Sequence, residues 1–294
     1  MNSHLLRGNS DAQLIRDFVA RLPRRSTVAD LDEALQIASI RATTRLWQHN
    51  EDVIAFAFVD DYNNLRFEIY PAHRSGQIAE EIVAWGVSCI RQRNRETGQD
   101  RTLDASCWTD DAWQIAMLEQ AGFVRDDFRT LRYARSLSKP IAAYPMPPGF
   151  ALRCVEGDHE VEQLVGLHRA AFGTTHMTVE QRLAIMHAPG YQRELDLVAV
   201  APDGELAAFC ICGYDNARDP FTTGFIDPIG VHPRFQRLGL GKAVVTDGLR
   251  LLASRGVNAV ELGTGSDNMP MQRLAESLGF VCVLEKLWFS KTVA

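Results

Sequence analysis

The chain has 294 residues, 46% hydrophobic and 23% charged, a globular balance that excludes a disordered tail or a fibre. Its 31 Lys and Arg against 37 Asp and Glu leave a net charge of −6, a field that repels nucleic acid and anionic lipid surfaces, so an anionic ligand must be caught locally. No apolar run reaches the ~20 residues of a membrane helix, the opening residues lack a signal-peptide stretch, and the six cysteines form no C-x-x-C pair; a cytoplasmic protein without a disulfide framework is expected.

In chain order, Ser10 to Leu22 places Leu14, Ile15, Phe18, Val19 and Leu22 on one face, an amphipathic helix expected to dock on its own domain. A strand ending Phe67-Glu68-Ile69-Tyr70-Pro71 precedes a long helical stretch. There Arg91, Arg93 and Arg95 lie near Glu96 and Asp100 and read as solvated surface, while Trp85, Trp108 and Trp113 read as packing residues. Residues 138–149 hold Pro140, Pro145, Pro147 and Pro148, four of the twelve prolines, and can neither continue a helix nor pair inside a sheet, so they read as a linker.

The second half reads as a strand over Ala151–Val155, an amphipathic helix over Asp158–Phe172, and a second helix opened by the capping box at Thr178-Val179-Glu180-Gln181. Strands over Leu195–Val200 and Leu206–Gly213 form a hairpin around Pro202-Asp203-Gly204, followed by a strand over Gly224–His232. A helix over Gly239–Arg255, a strand over Ala259–Gly263, a helix over Asn268–Leu278 and a strand over Val281–Phe289 complete the order. The two halves share landmarks at nearly one offset: Tyr70-Pro71 with His232-Pro233, and Ala121-Gly122-Phe123 with Leu278-Gly279-Phe280. That recurrence predicts a duplicated domain.

The segment Val231-His232-Pro233-Arg234-Phe235-Gln236-Arg237-Leu238-Gly239-Leu240-Gly241-Lys242 runs from a strand through a glycine-bearing loop into a helix. Free amides at a helix start, with the dipole behind them, hold phosphate oxygens, and Arg237 and Lys242 stand on either side. A P-loop is excluded because Gln236 stands at its first Gly and Ala243 at its hydroxyl. A dinucleotide fold is disfavoured because Val244 replaces the third Gly and too little chain follows Glu261. Cys210 and Cys212 share a strand face and read as core, and no metal-ligand spacing occurs, so no metal is expected.

Gln236-x-x-Gly239-x-Gly241 after Val231-His232-Pro233 resembles the signature of the GNAT acetyltransferase superfamily, and Asn268-x-x-Met271-x-x-Leu274-Ala275-x-x-x-Gly279-Phe280 resembles its second pattern. The resemblance covers about residues 149–290. It implies an α/β protein with mixed sheets and two GNAT-like domains, each a mostly antiparallel central sheet flanked by helices: 1–137 a degenerate copy, 138–149 the linker, and 150–294 the domain with the acetyl-CoA site. It further implies acetyl transfer from acetyl-CoA to a primary amine by direct attack in a ternary complex, the acceptor being a small molecule or peptide and the oligomeric state open.

The same resemblance implies coenzyme contacts from Ile229, Gly230, Val231, Gln236, Arg237, Leu238, Gly239, Leu240, Gly241, Lys242 and Asn268. Asp227 takes the place of the base, directly or through water; Ser277 is a candidate acid, because Ala275 stands where the pattern has a Tyr; His176 is a candidate acceptor contact. Ala275 also leaves open a non-catalytic acyl-CoA-binding protein. A nicotinamide-dependent oxidoreductase is the weaker rival.

Overall fold

The computed structural model describes residues 2–22, 28–214 and 223–293. In chain order the elements are β1 (Asn2–Leu5), α1 (Asn9–Arg21), α2 (Val28–Ala34), α3 (Ala38–Thr43), β2 (Arg45–His49), β3 (Asp52–Val59), β4 (Asn64–Ile69), α4 (Gly76–Thr97), β5 (Thr102–Trp108), α5 (Ala112–Gln120) and β6 (Val124–Ser136). They continue as β7 (Ala151–Cys154), α6 (Val161–Phe172), α7 (Val179–Met186), β8 (Asp196–Val200), β9 (Leu206–Tyr214), β10 (Thr223–Val231), α8 (Leu240–Ser254), β11 (Ala259–Gly265), α9 (Met269–Ser277) and β12 (Val281–Thr292). Among the described residues no helix is long and apolar enough to cross a membrane.

The chain divides into two compact units, Met1–Thr130 with Leu284–Ala294, and Leu131–Val283. In the first unit the strand order is β1-β2-β3-β4-β5-β12, antiparallel except for a short parallel contact of β4 with β5. Strand side chains alternate between faces, so β3 sends Ala55, Ala57 and Val59 toward α4 and α5 while Phe56 and Phe58 pack with Ile15, Phe18 and Val19 of α1.

In the second unit the order is β11-β10-β9-β8-β7, flanked on the β11 side by the part of β6 that belongs to this unit. Val155, Leu164, Leu167, Met186, Val198 and Phe209 form one core under α6 and α7. Cys210, Cys212, Ile226, Leu240, Val244, Leu249, Ala275 and Phe280 form another under α8 and α9. Thr178 and Gln181 make the capping box read from the sequence.

The division departs from the expected boundaries in two places. Residues 284–294 had been placed with the second domain, yet Lys286–Thr292 pair antiparallel with Trp108–Thr102, and Leu287, Phe289 and Val293 are buried in the first unit's core. Conversely, residues 131–137 had been placed with the first domain, yet Tyr133 is buried in the second unit's core and Arg132 ion-pairs with Glu261 at 3.5 Å. The proline-rich stretch is a packed segment of the second unit: Ile141, Tyr144, Met146 and Phe150 lie on its core, and the Arg135 guanidinium donates to the Pro140 carbonyl at 2.7 Å. Proline excludes helix and inner strand but says nothing about the apolar residues spaced between prolines, which decide whether the segment docks.

Because Phe289 is only 1% exposed, Phe289→Ala is expected to lower unfolding free energy by about 3–5 kcal/mol. Hydrogen exchange should show the loss in β5 and α4 more than in β8 and β9. A loss below about 1 kcal/mol, or one centred on β8 and β9, would contradict the assignment of β12 to the first unit.

Candidate active site

The site begins with an irregularity in β10. Ile226 pairs with Cys212 and Ile229 with Cys210, so Asp227 and Pro228 together oppose the single residue Ile211, a bulge at a proline that has no amide to donate. β11 runs parallel to β10 only across Thr223–Phe225 opposite Ala259–Glu261. Beyond Phe225 the two strands part, while β10 stays paired with β9 as far as Val231. Ile229, Gly230 and Val231 therefore present one backbone edge to a wedge. The exposed Asp227 carboxylate points across it: Oδ2 lies 3.3 Å from where a Cβ on Gly263 would stand.

At the end of β10 a single 3-10 turn over Pro233–Phe235 is held by the Arg234 amide donating to His232 Nδ1 at 3.2 Å. The Gln236 side chain reaches back and donates to the Val231 carbonyl at 3.4 Å, so it shapes the loop. Arg237 and Gly239 then take left-handed conformations, with φ of 65° and 92°. For an arginine that conformation costs of order ~1 kcal/mol, and left-handed residues at such spacing gather successive amides into a concavity that suits an anion.

Ala243 is the first amide to bond back, onto the Gly239 carbonyl at 3.1 Å, which leaves the amides of Leu240, Gly241 and Lys242 at the open end of α8. No acid stands in that first turn. Among the described residues neither Arg237 nor Lys242 has a carboxylate within ion-pair distance, whereas Arg234 is engaged by Glu205. A cationic, carboxylate-free helix start fits a diphosphate.

Gly241 is buried, and a Cβ there would lie 2.9 Å from Leu274 Cδ1 and 3.4 Å from Val231 Cγ2, so its lack of a side chain lets α8 approach α9 while its amide stays at the helix start. Gly239, with open space around it, is the glycine that shapes the cradle. Leu240 contributes only its backbone, its side chain being buried, while Leu238 is exposed.

The other expected residues lie as follows. Asn268 Oδ1 caps α9 by accepting from the Met271 amide at 3.2 Å. The Ser277 hydroxyl donates to the Leu274 carbonyl at 2.8 Å, so its proton is committed to the helix, and Ala275 is fully buried. His176 is exposed in the loop between α6 and α7, its amide 3.4 Å from Thr174 Oγ1.

His168, a helix histidine with no metal-ligand spacing by sequence, lies on α6 of the same unit. Its ring lies 4.6 Å from Phe172 and 5.8 Å from Phe209, and it lines a small cavity with Arg182, Met177 and Pro228, the residue after Asp227. Arg182 pairs with the buried Asp196, which also accepts from the Tyr191 hydroxyl at 2.8 Å. Burial, then the charge of Arg182, pushes the His168 imidazole down to about 4. One signal was available: His168 follows Leu164 by one helical turn and shares its buried face. The pairing of Arg182 with Asp196 left none, because it joins a helix to a strand.

His168 gives a pH prediction. Its folded value lies below 6.5, so as pH falls from 6.5 toward about 4 the unfolded chain takes up a proton that the folded chain does not. Stability held above that window is lost within it. The melting temperature of His168→Phe is expected to fall less steeply from pH 7 to pH 5 than that of the parent, and parallel curves would contradict it.

Residues 161–280 match the Acetyltransferase (GNAT) family. Over 250 residues the chain is 27% identical to a mycothiol acetyltransferase of Arthrobacter sp. (strain FB24), covering 78% of this chain and 72% of that one. Among solved structures, a GCN5-related N-acetyltransferase from Sphaerobacter thermophilus superposes with a TM-score of 0.70 at 19% identity, covering 99% of this chain and 95% of the other. A tandem GNAT protein from the clavulanic acid biosynthesis pathway superposes at 0.69 and 16% identity, over 99% and 98%. The family match lies inside the second unit, and the whole chain shares its fold with a tandem GNAT protein; the second unit thus carries a GNAT acetyltransferase domain, and the protein is an acyltransferase.

Proposed function

We propose that the second unit binds acetyl-CoA and transfers its acetyl group to the primary amine of a small molecule or peptide. The observation that carries this is the wedge between β10 and β11, open at its mouth to the amides of α8 and faced on one side by the Asp227 carboxylate. The diphosphate rests on the backbone from Arg237 to Lys242. The pantetheine arm follows the free edge of Ile229 to Val231, and the coenzyme supplies an activated thioester.

In this reading the acceptor nitrogen attacks the thioester carbonyl, the carbon–sulfur bond breaks, and the amine proton passes to Asp227, directly or through one water. Asp227 reaches one methylene less far than a glutamate, which favours the water. Ser277 keeps its bond to Leu274, so the thiolate leaves without an acid from α9, as a thiol with pKa near ~8.5 permits. The same reading gives the coenzyme site to the second unit alone, since Arg74, beside the start of α4, is engaged by Asp111 through two bonds of 2.8 Å and lies 4.9 Å from the Trp113 ring centre. The likeness to mycothiol acetyltransferases puts amines of the mycothiol type first in an acceptor panel.

Titration calorimetry with acetyl-CoA, followed by thiol release across the panel, tests the reading. Saturable binding with release for at least one amine is expected. No binding would overturn the coenzyme site, and binding without release for any amine would leave a non-catalytic acyl-CoA binder. Asp227→Asn is expected to lower kcat roughly 100-fold or more while changing acetyl-CoA affinity less than about threefold. An unchanged kcat would reduce Asp227 to strand architecture.

A further inference from the structure

Lys242 stands at the third position of α8, where the helix dipole places partial positive charge, so an ammonium there raises the energy of the resting protein. No carboxylate among the described residues offsets it. What faces it is an aromatic ring from the proline-rich segment: Lys242 Nζ lies 5.0 Å from the ring centre of Tyr144. The negative face of that ring is the partner such a cation takes when no anion is present.

Tyr144 is held where it can do this. Pro140 accepts from Arg135, Ile141 and Met146 pack on the core, and Phe150 meets Phe235 of the phosphate loop edge to face at 5.7 Å. The segment thus touches the loop twice, through Phe150 on Phe235 and through Tyr144 on Lys242. A free lysine side chain loses rotamer freedom when fixed on a ligand, and a ring that already confines it reduces that loss.

We propose that Tyr144 is a positioning residue for the coenzyme diphosphate: its ring keeps the Lys242 ammonium at the mouth of the cradle, so the anion meets backbone amides and cation together. The inference rests on the acetyl-CoA reading and extends it to a residue outside both family motifs. It assigns the proline-rich segment a part in ligand binding.

The test is a set of dissociation constants for acetyl-CoA, its 3′-dephospho form and acetyl-pantetheine, measured on the full chain. Tyr144→Leu is expected to weaken acetyl-CoA and dephospho-acetyl-CoA about two- to fivefold, the span of an exposed cation–π contact. Acetyl-pantetheine, which lacks the diphosphate, should be held equally by Tyr144→Leu and the parent, and Tyr144→Phe should bind acetyl-CoA as the parent does. In a Lys242→Met background, Tyr144→Leu should bring no further loss.

Parental affinity in Tyr144→Leu, an equal loss without Lys242, a loss extending to acetyl-pantetheine, or a loss confined to the 3′-phosphorylated coenzyme would each overturn the proposal. If the parent bound no acetyl-CoA at all, the coenzyme reading would fail first. Parental binding with an inert Tyr144→Leu would sink this inference alone.

Discussion

The second unit depends on one break in its sheet. A parallel pair such as β10 and β11 would ordinarily stay hydrogen-bonded along its length, but the Asp227–Pro228 bulge redirects β10, and pairing with β11 ends at Phe225. Backbone groups that would have bonded across the sheet then face an opening. The carboxylate of the bulged residue and the glycine opposite it on β11 stand where that opening is narrow. Gly263 matters because any side chain there would meet Asp227. The core beneath, packed from Cys210, Ile226, Val244 and Leu262, closes the base of the wedge.

The first unit repeats the parting without the cradle. β4 pairs with β5 only at Asn64 and Leu65, yet no residue from Pro71 to Gly76 has positive φ, and α4 begins without a nest of amides. The segment after β4 is tied to the segment after β5 by the bidentate Arg74–Asp111 pair, with Asp111 also capping α5. A guanidinium fixed by a buried carboxylate and a ring is poorly placed to serve a phosphate. Two copies of one topology thus differ by a few side chains at the same station.

The local features were legible because they rest on short-range rules. The capping box at Thr178, the turn at Pro202-Asp203-Gly204, the glycine-bearing loop into α8 and the shared strand face of Cys210 and Cys212 each follow from residues within a few positions of one another. Less legible was the reason for a residue. Gly241 sits in a motif associated with anion binding, and the close approach of Leu274 from another helix adds a packing requirement that the motif does not disclose. Asn268 and Ser277 also serve α9 itself, Oδ1 of the one accepting from the Met271 amide and the hydroxyl of the other donating to the Leu274 carbonyl.

By itself the sequence determined a duplicated α/β chain and the loop from Gln236 to Lys242, because periodicity, glycine placement and motif spacing are local. Only the tertiary structure decided that β12 completes the first unit, that the proline-rich segment lies packed beside the phosphate loop, and that His168 shares a cavity with Arg182 and Pro228. Those facts depend on which distant backbones hydrogen-bond and which apolar faces meet. Such choices are made by burial of the whole chain, and no window of neighbouring residues encodes them.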